Sequence, residues 1–111
     1  MLIKTLTTTA ACLLLTTAAI AQVEITPDEF TAADEAAARM YGGVYGDAPP
    51  TYMSTSDAID RIQAMGYTGI HDLDVEWGVY EVEAIAPNGN EVEIEFDPVT
   101  GAILEVSDNW L

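Results

Sequence analysis

The chain has 111 residues, and its 19 aspartates and glutamates outnumber its 3 lysines and arginines, which gives a formal net charge of −16 at pH 7. Nucleic acid and anionic membrane surfaces repel so acidic a protein, so we expect neither as a partner. Cations and basic proteins are the partners that this charge favours.

Residues 1–21 have the pattern of a secretory signal peptide. Lys4 gives a positive start, residues 6–20 are mostly apolar, and Ala19 and Ala21 are small residues at the positions that a signal peptidase reads. We therefore expect cleavage directly after Ala21 and a mature protein that is periplasmic or secreted from a bacterium. No second apolar stretch of this kind follows, so no membrane span is expected in the mature chain.

The single cysteine, Cys12, lies inside this predicted signal peptide. It does not fit a lipoprotein signal, because Thr9 occupies the position where a leucine-like residue is expected and most of the apolar stretch comes after Cys12. The mature chain then has no cysteine, which excludes disulfides, thiolate chemistry and zinc–sulfur sites.

Residues 22–53 are predicted to form an N-terminal helix and a linker. Thr26 is a suitable N-cap, and Glu29 completes a capping box three residues later. Apolar residues then recur at helical spacing, namely Phe30, Ala33, Ala37 and Met40. We expect Gly42 and Gly43 to end the helix and a glycine- and proline-rich linker to follow.

Residues 54–111 are predicted to form the main domain. A short helix begins at Ser54, with Asp57 as its capping partner, and stops at Gly66. Four runs follow in which apolar and acidic residues alternate, and turn sequences separate them. The apolar positions are Leu73 and Val75, then Tyr80, Val82 and Ala84, then Val92, Ile94 and Phe96, then Leu104 and Val106. The predicted fold class is α+β: a short helix packed on a four-stranded antiparallel meander sheet, with an additional N-terminal helix.

The loop between the second and third strands decides their register. A two-residue loop would place Ala84 opposite Glu93 and mix the apolar and polar faces. A three-residue loop at 87–89 places Tyr80 opposite Phe96 and keeps the apolar face whole, so we predict this register.

The predicted register also sets glutamates against each other on the wet face, Glu81 opposite Glu95 and Glu83 opposite Glu93. Each pair repels by about 0.6–0.8 kcal/mol in water. Burial of one apolar side chain on the other face gains about 1.5–3 kcal/mol, so the core decides the register. We expect the pKa values of the paired glutamates to be raised, so that stability increases as the pH falls from 7 toward 5.

These elements, in this order, resemble a PepSY domain. The resemblance covers residues 54–107 and rests on the helix that ends at Gly66, on "YEVEA" at 80–84 and on "EVEIEFDPVTGAILEV" at 91–106, in which "DPVTG" is the most telling piece. PepSY domains occur in propeptides of thermolysin-type metalloproteases, in membrane-associated sensors and as small exported bacterial proteins. The resemblance implies a non-catalytic binding module that inhibits or regulates an envelope protease, and it supplies no catalytic residues.

The residues themselves also indicate no enzyme. His71 is the single histidine, and no lysine or cysteine follows the signal peptide. A nucleophile with a base and an orienting group is therefore not visible. We expect His71 to be an exposed loop residue, and we expect no catalytic residue and no cofactor.

Two binding roles are left open. An acidic face would hold divalent cations loosely, calcium or magnesium because carboxylates suit hard cations, and the protein would then be a cation-binding structural domain. The residues of that face are Glu81, Glu83, Glu93 and Glu95.

The other role is contact with an envelope protein, such as a protease, through an apolar patch ringed by acids. The residues of that patch are Trp77, Val79, Ile85 and Ile103. The competing structural interpretation is that the first helix folds over the patch and covers it.

Overall fold

A computed structural model describes residues 23–108, which form two helices and four strands. The elements are α1 (Pro27–Tyr45), α2 (Thr55–Ala64), β1 (Thr68–Glu76), β2 (Val79–Ile85), β3 (Glu91–Asp97) and β4 (Ala102–Asp108). The strands make one sheet in the order β1-β2-β3-β4, and each neighbouring pair is antiparallel. The predicted α+β meander is therefore confirmed, whereas the predicted signal peptide and Cys12 lie outside the described residues.

Both helices begin where the capping pattern predicts. The hydroxyl of Thr26 accepts a hydrogen bond from the Glu29 amide at 3.2 Å, and the hydroxyl of Ser54 accepts one from the Asp57 amide at 3.2 Å. Each bond satisfies an amide that the first turn of a helix leaves without a backbone acceptor.

The prediction that the first helix ends at Gly42 is wrong, because α1 continues to Tyr45. The Gly46 amide donates to the Gly42 carbonyl at 2.9 Å, and Gly46, with φ of +63°, caps the helix. The Tyr41 ring stacks on that of Tyr45 one turn later, with centroids 5.9 Å apart. This side-chain contact stabilises the last turn although two glycines precede it.

Both helices pack on the same side of the sheet and form one core with it. The strands supply alternate residues to this core, as the period-two pattern predicts. The buried residues of the cluster are Ile25 before α1, Ala37 of α1, then Ala58, Ile59 and Ile62 of α2, and finally Ile70, Tyr80, Val82, Ala84, Val92, Ile94 and Phe96 of the sheet. Helix α1 therefore does not cover the other side of the sheet, and the interpretation that it folds over the predicted apolar patch is wrong.

The predicted register of β2 and β3 is confirmed. Tyr80 lies opposite Phe96, and the register continues without a break to the end of β2. The loop holds three residues between Ala86 and Asn90. The Ala86 amide donates a hydrogen bond to the Asn90 carbonyl at 2.8 Å. Gly89 has φ of +88°, which is the left-handed conformation that such a loop requires.

The prediction that Ile103 faces away from the core is wrong. The ladder pairs Glu95 with Glu105 but Phe96 with Ile103, so Leu104 is an extra residue on β4. Such a bulge moves the residues that precede it to the opposite face. Ile103 therefore packs against the core, whereas Leu104 is 55% exposed.

Strand β1 starts earlier than the alternation suggests, and the prediction that His71 is an exposed loop residue is wrong. β1 begins at Thr68, and its register against β2 shifts before Asp72. Gly69 lies in this irregular stretch with φ of +55°, and a Cβ there would lie 2.9 Å from the Ile85 side chain. His71 follows it inside the strand and is half-buried.

The "DPVTG" turn ties the sheet to α2. The Gly101 amide donates to the Asp97 carbonyl at 2.8 Å, which closes the turn. Arg61 Nε of α2 donates to the Gly101 carbonyl at 2.9 Å. The Met53 amide, just before α2, donates to the Pro98 carbonyl at 2.9 Å. The turn thus fixes the position of α2 on the sheet.

We predict that Gly101→Ala lowers the free energy of unfolding by about 1–3 kcal/mol. The φ of Gly101 is +76°, and a Cβ would lie 3.0 Å from Met53 Cε and 3.1 Å from the Arg61 guanidinium. Urea unfolding measures the change. Gly43→Ala is the control, because this helical glycine has nothing within 4 Å of a built Cβ, and it should raise stability by up to about 1 kcal/mol. Equal stability of Gly101→Ala and the parent protein would contradict the role of the turn.

Candidate functional site

The side of the sheet opposite the helices carries a dense set of carboxylates, which we call the acidic face. Directly opposed residues of an antiparallel pair share a face, so the register of the strands defines its members. One row across the sheet consists of Asp74, Glu81, Glu95 and Glu105, and the next contains Asp72, Glu83, Glu93 and Ser107. Neither helix packs on this side, so the carboxylates stand in water.

The structure brings together most of the residues that the sequence singles out. The four predicted glutamates lie on neighbouring positions of β2 and β3, as Glu81 opposite Glu95 and Glu83 opposite Glu93. The half-buried Val79 and Ile85 share this face at the two ends of β2. Trp77 lies apart from it in the β1–β2 turn, 91% exposed, and Ile103 lies on the core side.

Glu81 occupies the middle of the acidic face. Partial burial is the largest cause that raises its pKa, followed by the charges of Glu76 and Glu93 and a hydrogen bond with the Glu76 side chain. The directly opposed Glu95 contributes less. The predicted rise in pKa therefore occurs at Glu81, but desolvation and the diagonal neighbours Glu76 and Glu93 cause most of it.

Glu95 shares a hydrogen bond with Glu105 of β4, and this bond is the main cause that raises the pKa of Glu95. Two carboxyl groups can share such a bond only when one of them holds a proton. Sequence analysis missed this pair, because the β4 bulge that sets Glu105 opposite Glu95 leaves no clear signal in the alternation.

His71 provides a cationic group at one end of this face. Its Nε2 lies 3.3 Å from Glu91 Oε1, and its Nδ1 lies 2.8 Å from the Gly69 carbonyl. The bond to Gly69 is the largest cause and raises the pKa of His71. Burial, the next largest, lowers it, and the smaller effects of the Glu83 and Glu91 charges raise it. Both ring nitrogens thus meet acceptors, which favours the protonated imidazole.

Within residues 23–108, no three acidic, histidine or cysteine side chains converge as a group that could hold a metal ion. The glutamates of the acidic face stand side by side on a twisted sheet instead of around one point. The loose cation-binding role of Glu81, Glu83, Glu93 and Glu95 stays a prediction.

The described residues form a small α+β domain. Two helices pack on one side of its four-stranded meander, and the acidic face lies on the other side. The family model described as "peptidase propeptide and YPEB domain" matches residues 30–107, and the chain belongs to this PepSY family. The match begins inside α1, which the sequence-based resemblance left out. Searches of curated proteins and of solved structures returned no significant match.

PepSY domains are generally non-catalytic modules related to propeptides and inhibitors of proteases, and they typically act outside the cytoplasm. Across the described part of this chain, no helix is both long enough and apolar enough to cross a membrane.

We predict that the free energy of unfolding increases as the pH falls from 7 toward 5. The folded state raises the pKa of Glu81, Glu95 and Asp74, and also that of His71, so it binds more protons than the unfolded chain in this interval. This contribution is complete below the unfolded pKa values and is lost as the pH rises through the folded ones. Thermal unfolding at constant ionic strength measures it.

Glu95→Gln should make this increase shallower, because it removes the carboxyl that shares a hydrogen bond with Glu105. Glu35→Gln, which replaces an exposed residue of α1, is the matched control. It should leave the dependence of the free energy of unfolding on pH unchanged. A flat or falling profile from pH 7 to pH 5 in the parent protein would contradict the electrostatics described for the acidic face.

Proposed function

We propose that this protein is an exported, non-catalytic binding module that contacts a protease, or a protein that regulates one, in the bacterial envelope. The observation that carries the proposal is the acidic face, a regular sheet surface that neither helix covers. The relation of the PepSY family to protease propeptides supports a protease as the partner. The predicted signal peptide supports export.

The acidic face suits a protein partner because the sheet fixes the shape of the face before a partner binds. Its side chains stand on one hydrogen-bonded sheet, in which β1 and β4 hold the two central strands from both sides. Little conformational entropy is lost when a partner binds such a surface. Val79 and Ile85 add apolar contact at its two ends, next to the carboxylates.

The charge of the face indicates the chemistry of the partner. Carboxylates occupy neighbouring positions on all four strands, and the imidazole Nε2 of His71 lies 3.3 Å from Glu91 Oε1 at one end of the face. A partner with lysine and arginine side chains would relieve their mutual repulsion. Complementary charge of this kind accelerates association and makes it sensitive to salt.

We predict that a photoreactive residue at position 93, on the acidic face, crosslinks one envelope protein. The same residue at position 35, on the exposed side of α1, should not. The yield at position 93 should fall steeply from about 50 to about 500 mM sodium chloride, because salt screens exposed charges. Mass spectrometry of the crosslinked product identifies the partner.

A pair of charge reversals provides the matched control. Glu81→Lys should slow association with the captured partner by roughly tenfold or more. Glu35→Lys changes the net charge equally but lies on the helical side, and it should have a much smaller effect. Crosslinks only from position 35, or none from either, would overturn the proposal. A thermal stabilisation by calcium beyond that of sodium chloride at matched ionic strength would favour the cation-binding domain instead.

A further inference from the structure

A groove of about 400 Å³ lies at the end of the sheet where the β1–β2 turn and the "DPVTG" turn meet the end of α1. Tyr41, Tyr45 and Trp77 supply aromatic rings to its lining, and the Asp97 carboxylate lies among them. Its lining includes Tyr41, Tyr45, Pro50, Trp77, Asp97 and Val99.

Two stacked tyrosines, Tyr41 and Tyr45, form one wall of the groove, and Tyr52 stacks on the other side of Tyr41. Tyr41 is buried between Tyr45 and Tyr52, with ring centroids 5.9 and 4.2 Å away and ring planes inclined by 19° and 16°. The Tyr41 hydroxyl donates to the Gly78 carbonyl at 3.3 Å. Tyr45 is the outer member of the stack and is 51% exposed, so one of its faces is open to a ligand.

Trp77 has an unfavourable backbone conformation, and burial of its side chain does not offset the cost. Trp77 and Gly78 are the two residues between β1 and β2, and their φ angles are +39° and +86°. Two-residue loops of this type favour asparagine and glycine, and a bulky side chain at positive φ is strained. The side chain is 91% exposed, so packing within the described residues does not explain the tryptophan. Strain of this kind is concentrated at binding sites.

Asp97 supplies the negative charge. Its Oδ1 accepts hydrogen bonds from the amides of Val99 at 2.9 Å and Thr100 at 3.4 Å, which orients the carboxylate. Among residues 23–108, no donor bonds to Oδ2. Tyr41 and Asp97 both line the groove, and burial, followed by the charge of Asp97, raises the pKa of Tyr41 to about 12.

We propose that this groove binds an arginine side chain from an extended segment of the protein partner, with the guanidinium stacked on the rings of Tyr45 and Trp77 and hydrogen-bonded to Asp97. Cations bind to aromatic faces, and the flat guanidinium both stacks on a ring and donates to a carboxylate. A lysine ammonium would pair with the Asp97 carboxylate, but it is not flat and would not stack on the aromatic rings. Proline-rich segments also enter aromatic grooves, but they offer no donor to Oδ2 of Asp97. The identity of the ligand as part of a protein rests on the proposed function.

A nuclear magnetic resonance titration tests the site without the envelope partner. The ¹⁵N-labelled protein is titrated with the peptide Gly-Ser-Arg-Ser-Gly and with the same peptide carrying citrulline, the neutral isostere of arginine. The arginine peptide should shift the amide signals of Gly78 and Val99, and the citrulline peptide should not. The lysine peptide should bind more weakly than the arginine peptide.

Trp77→Asn is the decisive variant, because it creates the Asn-Gly sequence that this turn favours and removes an exposed ring. It should unfold at the same temperature as the parent or higher, yet bind the arginine peptide about 3- to 30-fold more weakly. Asp97→Asn should also weaken binding. Val44→Ala, which removes another exposed apolar side chain near the end of α1, is the matched control and should bind as the parent does.

Equal shifts with the citrulline peptide, tighter binding of a proline-rich peptide, or unchanged binding by Trp77→Asn would each overturn the assignment, as would no shift with the arginine peptide. The two proposals fail separately. Crosslinking from position 93 without peptide binding leaves the acidic face as the contact surface and rejects the groove. Peptide binding without any crosslink supports the groove and rejects the acidic face.

Discussion

The pairing of the apolar faces of β2 and β3 is the constraint on which the rest of the structure depends. Tyr80, Val82 and Ala84 lie opposite Phe96, Ile94 and Val92, and all six are buried. A slip of one residue would turn the apolar residues of the slipped strand to water and bring its glutamates into the core. Because both helices cover the apolar side, the glutamates on alternate positions are left together on the other side, where water reduces their repulsion.

The two proposed contact surfaces follow from this arrangement in different ways. The acidic face is a direct consequence of the alternation in the strands, which is a property of the sheet. The groove instead arises where two turns meet the end of α1, and Tyr45 joins Tyr41 in its lining because the helix continues past its glycines. Both surfaces have negative charge, so we propose a basic partner for both, and one extended segment with apolar and arginine residues suits the chemistry of each.

The sequence predicts the sheet well because local rules decide it. The period-two pattern, the capping residues and a three-residue loop with Gly89 were sufficient to place Glu81 opposite Glu95. The errors occur where tertiary contacts override local rules. Leu104 bulges out of β4 and turns Ile103 inward, which alternation alone does not indicate. The tyrosine stack was also missed, because Tyr41 and Tyr52 lie in segments that sequence analysis divided between a helix end and a linker.

The most direct test of the central claim is a set of nuclear Overhauser contacts measured on the ¹³C,¹⁵N-labelled protein. The account predicts contacts from Tyr80 to Phe96 and from Ala37 of α1 to the core residues of the sheet, with none from α1 to Ile85. Strand contacts displaced by one residue, or contacts between α1 and Ile85, would contradict it. They would mean that the acidic face is covered, or that another register holds the sheet together.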